Sequence, residues 1–298
     1  MKGQAHGKII LIGEHSVVHG HPAMAMPFMA GQVVCGLENG AVDWLISRFH
    51  EGPLDDAGAL FDPIRTLIHA LQEALGIGPF IHKLKSDIPM GAGLGSSAAI
   101  AAAVIRAYHT AADIRLDDEQ LFDWIQFSEK NAHDNPSGID ALTVMHDHAW
   151  YFTKTHREPI EKALGAKLVI ADTLERTATR EAVAHVASYQ GSDRFKTAMK
   201  TLHERVKTSR TALKEKNLQT LADAMNDAMK ALASLGLSTP TTNAFIETAK
   251  ASGALAAKLT GGGMGGCIIA LCENEATAND VRTALEKNFK TTTWVTSI

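Results

Sequence analysis

The sequence predicts an α+β fold made of two compact units. The chain has 298 residues, about twice the length of a common domain. Short apolar runs that are typical of strands alternate with segments of helical spacing, and long helical patterns dominate the chain after residue 190. We therefore expect the boundary between residues 160 and 190, and we assign the two units to residues 1–165 and 166–298.

Each predicted element depends on a local pattern. Apolar runs with β-branched residues that end at turn residues predict strands. These runs are Lys8–Ile12, Gln32–Gly36, Ala149–Thr153, Lys167–Ala171, Cys267–Leu271 and Thr291–Thr296. Apolar residues repeated every three or four positions predict helices. These segments are Pro63–Gly76, Ser97–Asp113, the stretch from Asp117 to just before Asn135, Leu218–Leu232 and Ala276–Phe289.

Polar residues mark where two of these helices begin. Ser97 is the predicted N-cap of the alanine-rich helix, because a serine hydroxyl accepts a hydrogen bond from the first helical N–H groups. The acids Asp117–Glu119 suit the positive end of the next helix. Glu129 therefore falls near a helix end, and Asp140 falls just past the Asn135–Gly138 turn.

Composition excludes several classes of protein. The 29 Lys and Arg against 33 Asp and Glu give a formal charge of −4, without the basic excess that nucleic acid or an acidic membrane attracts. Cys35, Cys267 and Cys272 form no C-x-x-C pair, so neither a disulfide framework nor a structural zinc knot is expected. The longest apolar run, Ala98–Ile105, is too short to span a membrane, and no signal peptide opens the chain. We expect a cytoplasmic protein.

The Pro89–Ala99 segment (PMGAGLGSSAA) is the sharpest functional signal. Glycines at every second position free backbone N–H groups to converge on an anion, and the following helix directs its positive end to the same place. The two serines supply hydroxyls for a phosphate oxygen or a magnesium ion. The segment lacks the lysine of a Walker A loop. It predicts a phosphate-binding loop, with a simple turn before a helix as the alternative.

A second glycine run, Lys258–Cys267, matches G-x-G-x-x-G at positions 261, 263 and 266. A dinucleotide-binding loop lies between a strand and a helix, whereas here a helical pattern precedes the run and a strand follows it. The sequence therefore does not indicate a dinucleotide. Two interpretations stay open: a glycine loop whose backbone must approach another group closely, or a bend between elements.

The segment around Glu14 is rich in groups that bind ligands. His15 and His19 are four residues apart, so a zinc site completed by Glu14 or His21 is one interpretation, and a polar lining is the other. Lys8 is either a functional cation or a solvated lysine at a strand edge.

Glu129 and Asp140 flank the Asn135–Gly138 turn. Beside a phosphate-binding loop, two carboxylates suggest one that holds Mg²⁺ and one that acts as a base. The alternative is a solvated glutamate at a helix end and an aspartate that caps a helix.

Three segments resemble the three motifs of the GHMP small-molecule kinase superfamily, in order and across nearly the whole chain. They are Gly7–Pro27 (GKIILIGEHSVVHGHPAMAMP), Asp87–Ala99 (DIPMGAGLGSSAA) and Lys258–Cys267 (KLTGGGMGGC). Asp134 stands where a glycine is common, and Met264 interrupts the third glycine run.

Segments within and between these motifs resemble one branch of the superfamily, the one that phosphorylates mevalonate. They are Gly13–Gly20 (GEHSVVHG), Glu129–Asp140 (EKNAHDNPSGID), and Asp172–Thr173 followed by Thr179–Val183. The resemblance implies ATP-dependent phosphorylation of mevalonate to 5-phosphomevalonate in the route to isoprenoids. Phosphomevalonate kinase, homoserine kinase and diphosphomevalonate decarboxylase are the alternatives within the superfamily.

The resemblance also implies a fold and partners. The fold is the two-domain GHMP kinase fold, with a left-handed βαβ unit in the N-terminal domain, a ferredoxin-like C-terminal α/β domain and the active site in the cleft between them. ATP is a substrate, Mg²⁺ is the cofactor and mevalonate is the small-molecule partner. A homodimer is an open alternative for the assembly.

Finally, the resemblance implies roles for individual residues. Asp140 is the catalytic base and Lys8 stabilises the developing charge. Ser97 and Glu129 ligate Mg²⁺, and the substrate side comprises Glu14, His15 and Thr179. The residues that bind the triphosphate are Gly91, Ala92, Gly93, Leu94, Gly95, Ser96 and Ser97.

Overall fold

The computed structural model describes residues 1–132, 136–161 and 164–298. The strands in these residues are β1 (Lys2–Ile12), β2 (Ala23–Asn39), β3 (Trp44–Ile46), β4 (Glu51–Pro53), β5 (Phe80–Ser86), β6 (Ala149–Phe152), β7 (Arg157–Ile160), β8 (Lys167–Asp172), β9 (Ala256–Thr260), β10 (Cys267–Cys272) and β11 (Thr293–Ser297). The helices are α1 (Asp62–Leu75), α2 (Ser96–Ala112), α3 (Asp118–Ala132), α4 (Ile139–Met145), α5 (Thr179–Ala187), α6 (Asp193–Lys214), α7 (Leu218–Ser234), α8 (Pro240–Ala251) and α9 (Glu275–Phe289). Each strand and helix that the sequence assigned to a residue range is found in the described residues, with shifted ends, and the α+β class is confirmed.

Two local predictions are wrong. Ser97 is not the N-cap of α2: the helix begins at Ser96 and its N-cap is Gly95, which adopts a left-handed conformation with φ of 73°. A strand, β9, directly precedes the third glycine run, where the sequence predicted a helical pattern. Pairing with β10 along Ala256–Thr260 outweighs the helix propensity of the alanines there. The run still leads into a strand, so the exclusion of a dinucleotide loop holds.

The chain forms two compact units, and each draws on three chain segments. The first unit contains Met1–Lys8, Pro27–Pro89 and Gly95–Asp147, and the second contains Ile9–Met26, Met90–Leu94 and His148–Ile298. The boundary at 165/166 stays a prediction.

The first unit is built on a small mixed sheet. The Val33–Asn39 part of β2 pairs antiparallel with β5, β5 pairs parallel with β3, and β3 pairs antiparallel with β4. Burial alternates along β2, where Val33, Cys35 and Leu37 are buried while the residues between them are partly exposed. This period of two follows from side chains that point to opposite faces of a strand.

Helix α2 is the centre of the first unit. It packs against α1, α3 and α4, and its alanines are mostly buried. Small side chains let these neighbours approach closely. Strand β1 comes close as well, because a Cβ placed on Gly3 would lie 2.1 Å from the Ala103 carbonyl oxygen. This packing fixes the N-terminus of α2, where the predicted phosphate loop ends.

The second unit contains a four-stranded antiparallel sheet in the order β11-β8-β10-β9. With helices between β8 and β9 and α9 between β10 and β11, this is the ferredoxin-like arrangement. Every residue of the central strand β10 is buried. Helices α7 and α8 pack on β9, α9 packs on β8, and α6 packs on α7.

Among the helices that the structure describes, none combines the length and the apolar character that a membrane span requires.

Candidate active site

The predicted phosphate loop has the backbone of an anion-binding loop. Gly91, Gly93 and Gly95 all adopt positive φ, at 66°, 78° and 73°. Residues of left-handed conformation that alternate with ordinary ones turn successive N–H groups towards one concavity, which attracts anions. Side chains other than glycine are strained at such φ values, which explains the glycine at every second position.

The start of α2 leaves donors available for a ligand. No side chain caps its N-terminus, so the first N–H groups donate to no capping side chain. The Ser96 hydroxyl oxygen is buried and has no hydrogen-bond partner within the described part of the chain. A buried polar atom without a partner is costly, and a bound phosphate or hydrated metal ion would remove that cost. The residues present therefore fit a nucleotide triphosphate.

Lys8 and Asp140 form an ion pair next to this loop. Lys8 Nζ lies 3.2 Å from Asp140 Oδ1, the lysine side chain is 4% exposed, and the aspartate is 33% exposed. A Cβ on Gly95 would lie 2.7 Å from Lys8 Cγ, so the lysine stem lies against the phosphate loop. The interpretation of Lys8 as a solvated lysine at a strand edge is wrong. Asp140 is in the first turn of α4, whose N-cap is Gly138 rather than an aspartate.

Glu129 is buried in the last turn of α3, with 4% exposure. Asp134, and Asn135 with which the predicted turn begins, lie outside the described residues. Within the described residues, no cluster of three or more His, Cys, Asp or Glu side chains forms a metal cage. Mg²⁺ in kinases is commonly held by one or two carboxylates together with substrate phosphates and water, so a site formed by Ser97 and Glu129 needs no such cage.

The third glycine run lies against Ala92 and Gly93 of the phosphate loop. A Cβ on Gly261 would be 2.7 Å from Gly93 Cα, and a Cβ on Gly266 would be 3.0 Å from the Ala92 carbonyl oxygen. Cys267 N donates to that same oxygen at 3.1 Å. Close approach of two backbones is thus the correct interpretation of this run. Met264 takes a φ of 57° within it, a strained value for methionine.

We expect Gly261→Ala to destabilise the protein by about 2 kcal/mol or more, because its φ of 85° is left-handed and the new Cβ would contact Gly93 Cα. Urea unfolding measures this loss. Gly165→Ala is a matched control, because Gly165 also has positive φ but, among the described residues, no atom lies within 4 Å of its Cβ position. Equal losses in the two variants would show that backbone strain, and not the close approach, determines the effect.

Glu14 is held in a buried ion pair. Lys258 Nζ donates to Glu14 Oε1, and both side chains are 0% exposed. Lys258 Nζ also donates to the Leu259 carbonyl oxygen at 2.7 Å. Burial lowers the pKa of Lys258, and the Glu14 carboxylate opposes that shift. The pair joins the first motif to β9 in the third motif.

His15 and Thr179 both lie next to Gly262. His15 Nε2 is 2.7 Å from the Gly262 carbonyl oxygen, and a Cβ on Gly262 would lie 3.7 Å from Thr179 Cγ2. Burial lowers the pKa of His15 to about 4, although the Gly262 carbonyl opposes the shift. His15 is therefore neutral at pH 7, with its hydrogen on Nε2 and a lone pair on Nδ1. In the described residues the histidines and Glu14 form no metal cluster, so the zinc interpretation has no support.

The depressed pKa of His15 makes stability depend on pH. The unfolded chain binds a proton at His15 below about pH 6.5, whereas the folded chain does so only near pH 4, so stability decreases as pH falls through this window. Across this whole pH window, the free energy of unfolding decreases by about 3 kcal/mol. Urea unfolding of the wild type and of His15→Gln, whose amide can still donate to Gly262, measures it. The wild type should lose more stability than the variant, and parallel curves would refute the burial of a neutral ring.

Two residues of this region were not predicted. Lys258 stands in a fully buried strand, and a lone lysine among apolar residues was the available signal. Arg176 donates to both Asp172 carboxylate oxygens, at 2.7 and 2.6 Å, and its Cδ would lie 3.2 Å from a Cβ on Gly91. It therefore adds a cation beside the first glycine of the phosphate loop. Its sequence neighbours carry no pattern that would have revealed it.

Known proteins resemble this chain along its whole length. Residues 63–147 match the family GHMP kinases N terminal domain, and residues 209–291 match GHMP kinases C terminal. The mevalonate kinase of Thermococcus gammatolerans is 30% identical over 94% of this chain and 91% of its own, and that of Aeropyrum pernix is 28% identical over 96% and 93%. The crystal structure of mevalonate kinase from methicillin-resistant Staphylococcus aureus is 30% identical, covers 99% of this chain and 98% of its own, and superimposes with a TM-score of 0.77. The chain therefore belongs to the GHMP kinase family, in which these relatives are mevalonate kinases.

Proposed function

We propose that this enzyme transfers the γ-phosphoryl group of ATP to the primary hydroxyl of mevalonate and forms 5-phosphomevalonate. One observation carries the chemistry: the Lys8–Asp140 ion pair lies against Gly95 at the end of the phosphate loop. The substrate is inferred from the mevalonate kinases that resemble the chain over nearly its full length.

Asp140 orients the attacking hydroxyl and accepts its proton. The transition state of phosphoryl transfer is loose, so alignment of the hydroxyl contributes more than strong basicity. The carboxylate is one-third exposed and can therefore reach a substrate, while the buried Lys8 fixes its orientation. Lys8 also stabilises negative charge on the hydroxyl oxygen as the proton leaves.

The amides from Gly91 to Ser97 and the uncapped start of α2 bind the triphosphate. Ser97 and Glu129 would hold Mg²⁺, which neutralises phosphate charge during transfer. Ser96 donates its hydroxyl, which lacks a partner among the described residues, to a phosphate oxygen.

Glu14, His15 and Thr179 are the substrate-side residues. His15 offers its Nδ1 lone pair as an acceptor for a substrate hydroxyl, since its Nε2 hydrogen is committed to Gly262. Glu14 is fully buried and paired with Lys258, so it acts by fixing the loop that presents His15.

An ATP-coupled assay with mevalonate, phosphomevalonate, homoserine and galactose tests the proposal. We expect turnover with mevalonate and a 5-phosphomevalonate product identified by mass spectrometry. Faster turnover of phosphomevalonate, homoserine or galactose would instead identify another kinase of the same family. Release of CO₂ from diphosphomevalonate would identify a decarboxylase on the same fold and overturn the proposal.

A further inference from the structure

The loop that carries Glu14 and His15 ends in a histidine that faces a second histidine on α6. His21 Nδ1 lies 3.2 Å from His203 Nδ1, and the two rings meet edge to face with centroids 5.2 Å apart. A hydrogen bond between two such nitrogens needs a hydrogen on one and a lone pair on the other. At least one of the two rings must therefore be neutral for the bond to exist.

A second contact joins the same loop to α6. The His19 ring lies edge-on against Phe195, with centroids 5.0 Å apart. Phe195 and His203 are separated by about 12 Å along the helix, from a rise of about 1.5 Å per residue. The loop is thus held by α6 at two separate points.

Backbone hydrogen bonds connect His21 to the substrate-side residues. His21 N donates to the Ser16 carbonyl oxygen at 3.0 Å, and the Ser16 hydroxyl donates to the Gly13 carbonyl oxygen at 3.1 Å. Ser16 follows Glu14 and His15 directly. A shift of His21 is therefore transmitted through Ser16 to the residues that present His15.

We propose that His203 is a positioning residue, which holds the Gly13–His21 loop through His21 and releases it when both rings are protonated. This inference depends on the proposed function, because it assigns the loop to the mevalonate side of the site. His203 itself touches no reacting group. Its loss should weaken substrate binding and leave nucleotide binding intact.

The surroundings of His21 disfavour its protonated form. Burial lowers the pKa of His21, and the neighbouring rings of His203 and His19 lower it further. Burial lowers the pKa of His19, and the nearby Lys154 ammonium lowers it further. On α6, the ionisable residues within one turn of His203 are Lys200, Glu204, Arg205 and Lys207. These mostly cationic surroundings favour the neutral His21 ring, and the hydrogen bond between the two Nδ1 atoms needs at least one neutral ring.

Two variants of His203 separate its hydrogen bond from its bulk. His203→Leu fills the space without a polar atom, whereas the amide of His203→Asn replaces Nδ1 and cannot titrate. For His203→Leu we expect the KM for mevalonate to rise about fivefold at pH 7.5, the usual effect of one hydrogen bond, while kcat and the KM for ATP stay within twofold. His203→Asn should restore the wild-type KM. It should also abolish the rise in KM that the wild type shows between pH 7 and 5.5.

Hydrogen exchange of residues 13–22 in the ligand-free protein provides a readout that needs no substrate. His203→Leu should speed exchange there, His203→Asn should not, and the exposed-histidine control His69→Leu should leave it unchanged. The positioning role would be overturned if His203→Leu turned over mevalonate with the wild-type KM and showed wild-type hydrogen exchange in residues 13–22. An equal rise in the KM for mevalonate in His203→Leu and His203→Asn would also overturn the positioning role. Loop exchange that responds as expected, in an enzyme that does not use mevalonate, would refute the proposed function and leave the histidine contact established.

Discussion

Asp140→Asn should remain folded and bind ATP normally. Its kcat with mevalonate should fall by about 10²-fold to 10⁴-fold, which is the usual contribution of a positioned general base. Asparagine preserves the size of the side chain but cannot accept the hydroxyl proton. It also leaves the buried Lys8 ammonium without the carboxylate that lies 3.2 Å away. Steady-state kinetics measure the loss, and calorimetric titration with a non-hydrolysable ATP analogue checks nucleotide binding.

Asp147→Asn is the matched control for this experiment. Asp147 is also in the first unit and lies 3.4 Å from a histidine, His6, but its side chain is 84% exposed. Its variant should keep turnover within twofold. The turnover of Lys8→Met should fall about as much as that of Asp140→Asn. The double variant should be only slightly slower than either single variant, because the two residues act as one unit. Near-normal turnover in Asp140→Asn would reject its role as the base.

The phosphate loop could be predicted because its chemistry lies in adjacent residues. Glycines at every second position followed by an alanine-rich helix specify backbone conformation locally, and Gly91, Gly93 and Gly95 have the positive φ that this pattern requires. Lys8 was different, because local sequence left a functional and a solvated interpretation equally open. Its burial comes from packing that brings β1 to α4, and only tertiary structure reveals it.

The third motif shows why local patterns fail. The Ala256–Thr260 segment has two alanines, which favour a helix, yet pairing with β10 makes it a strand. Once the segment is a strand with both faces buried, Lys258 must find a partner inside the protein, and Glu14 from the first motif supplies it. Neither the strand nor the pair is visible until the fold brings these distant segments together.

Lys258→Met should cost about 3–5 kcal/mol of stability, since removing the ammonium takes the ion-pair partner away from a fully buried carboxylate. Glu14 is 0% exposed, so water cannot replace the lysine without a local rearrangement. Urea unfolding at pH 7.5 measures the loss. Lys230→Met, which removes a 78% exposed lysine from a pair with Asp227 in the same unit, should cost less than about 1 kcal/mol.

The double variant Glu14→Leu/Lys258→Met separates two contributions to stability. One is the destabilisation caused by a buried Glu14 carboxylate that has lost Lys258, and the other is the stabilisation that the ion pair itself provides. Two apolar side chains of similar volume avoid the desolvation of both ions, so the double variant should recover most of the stability that Lys258→Met loses. Its turnover should nevertheless stay low, because the loop that presents His15 has lost its anchor on β9. Recovery of both stability and turnover would show that the ion pair has no role in positioning His15. If the double variant were less stable than Lys258→Met, the stability lost in Lys258→Met would come from loss of the ion pair and not from burial of the Glu14 carboxylate without Lys258.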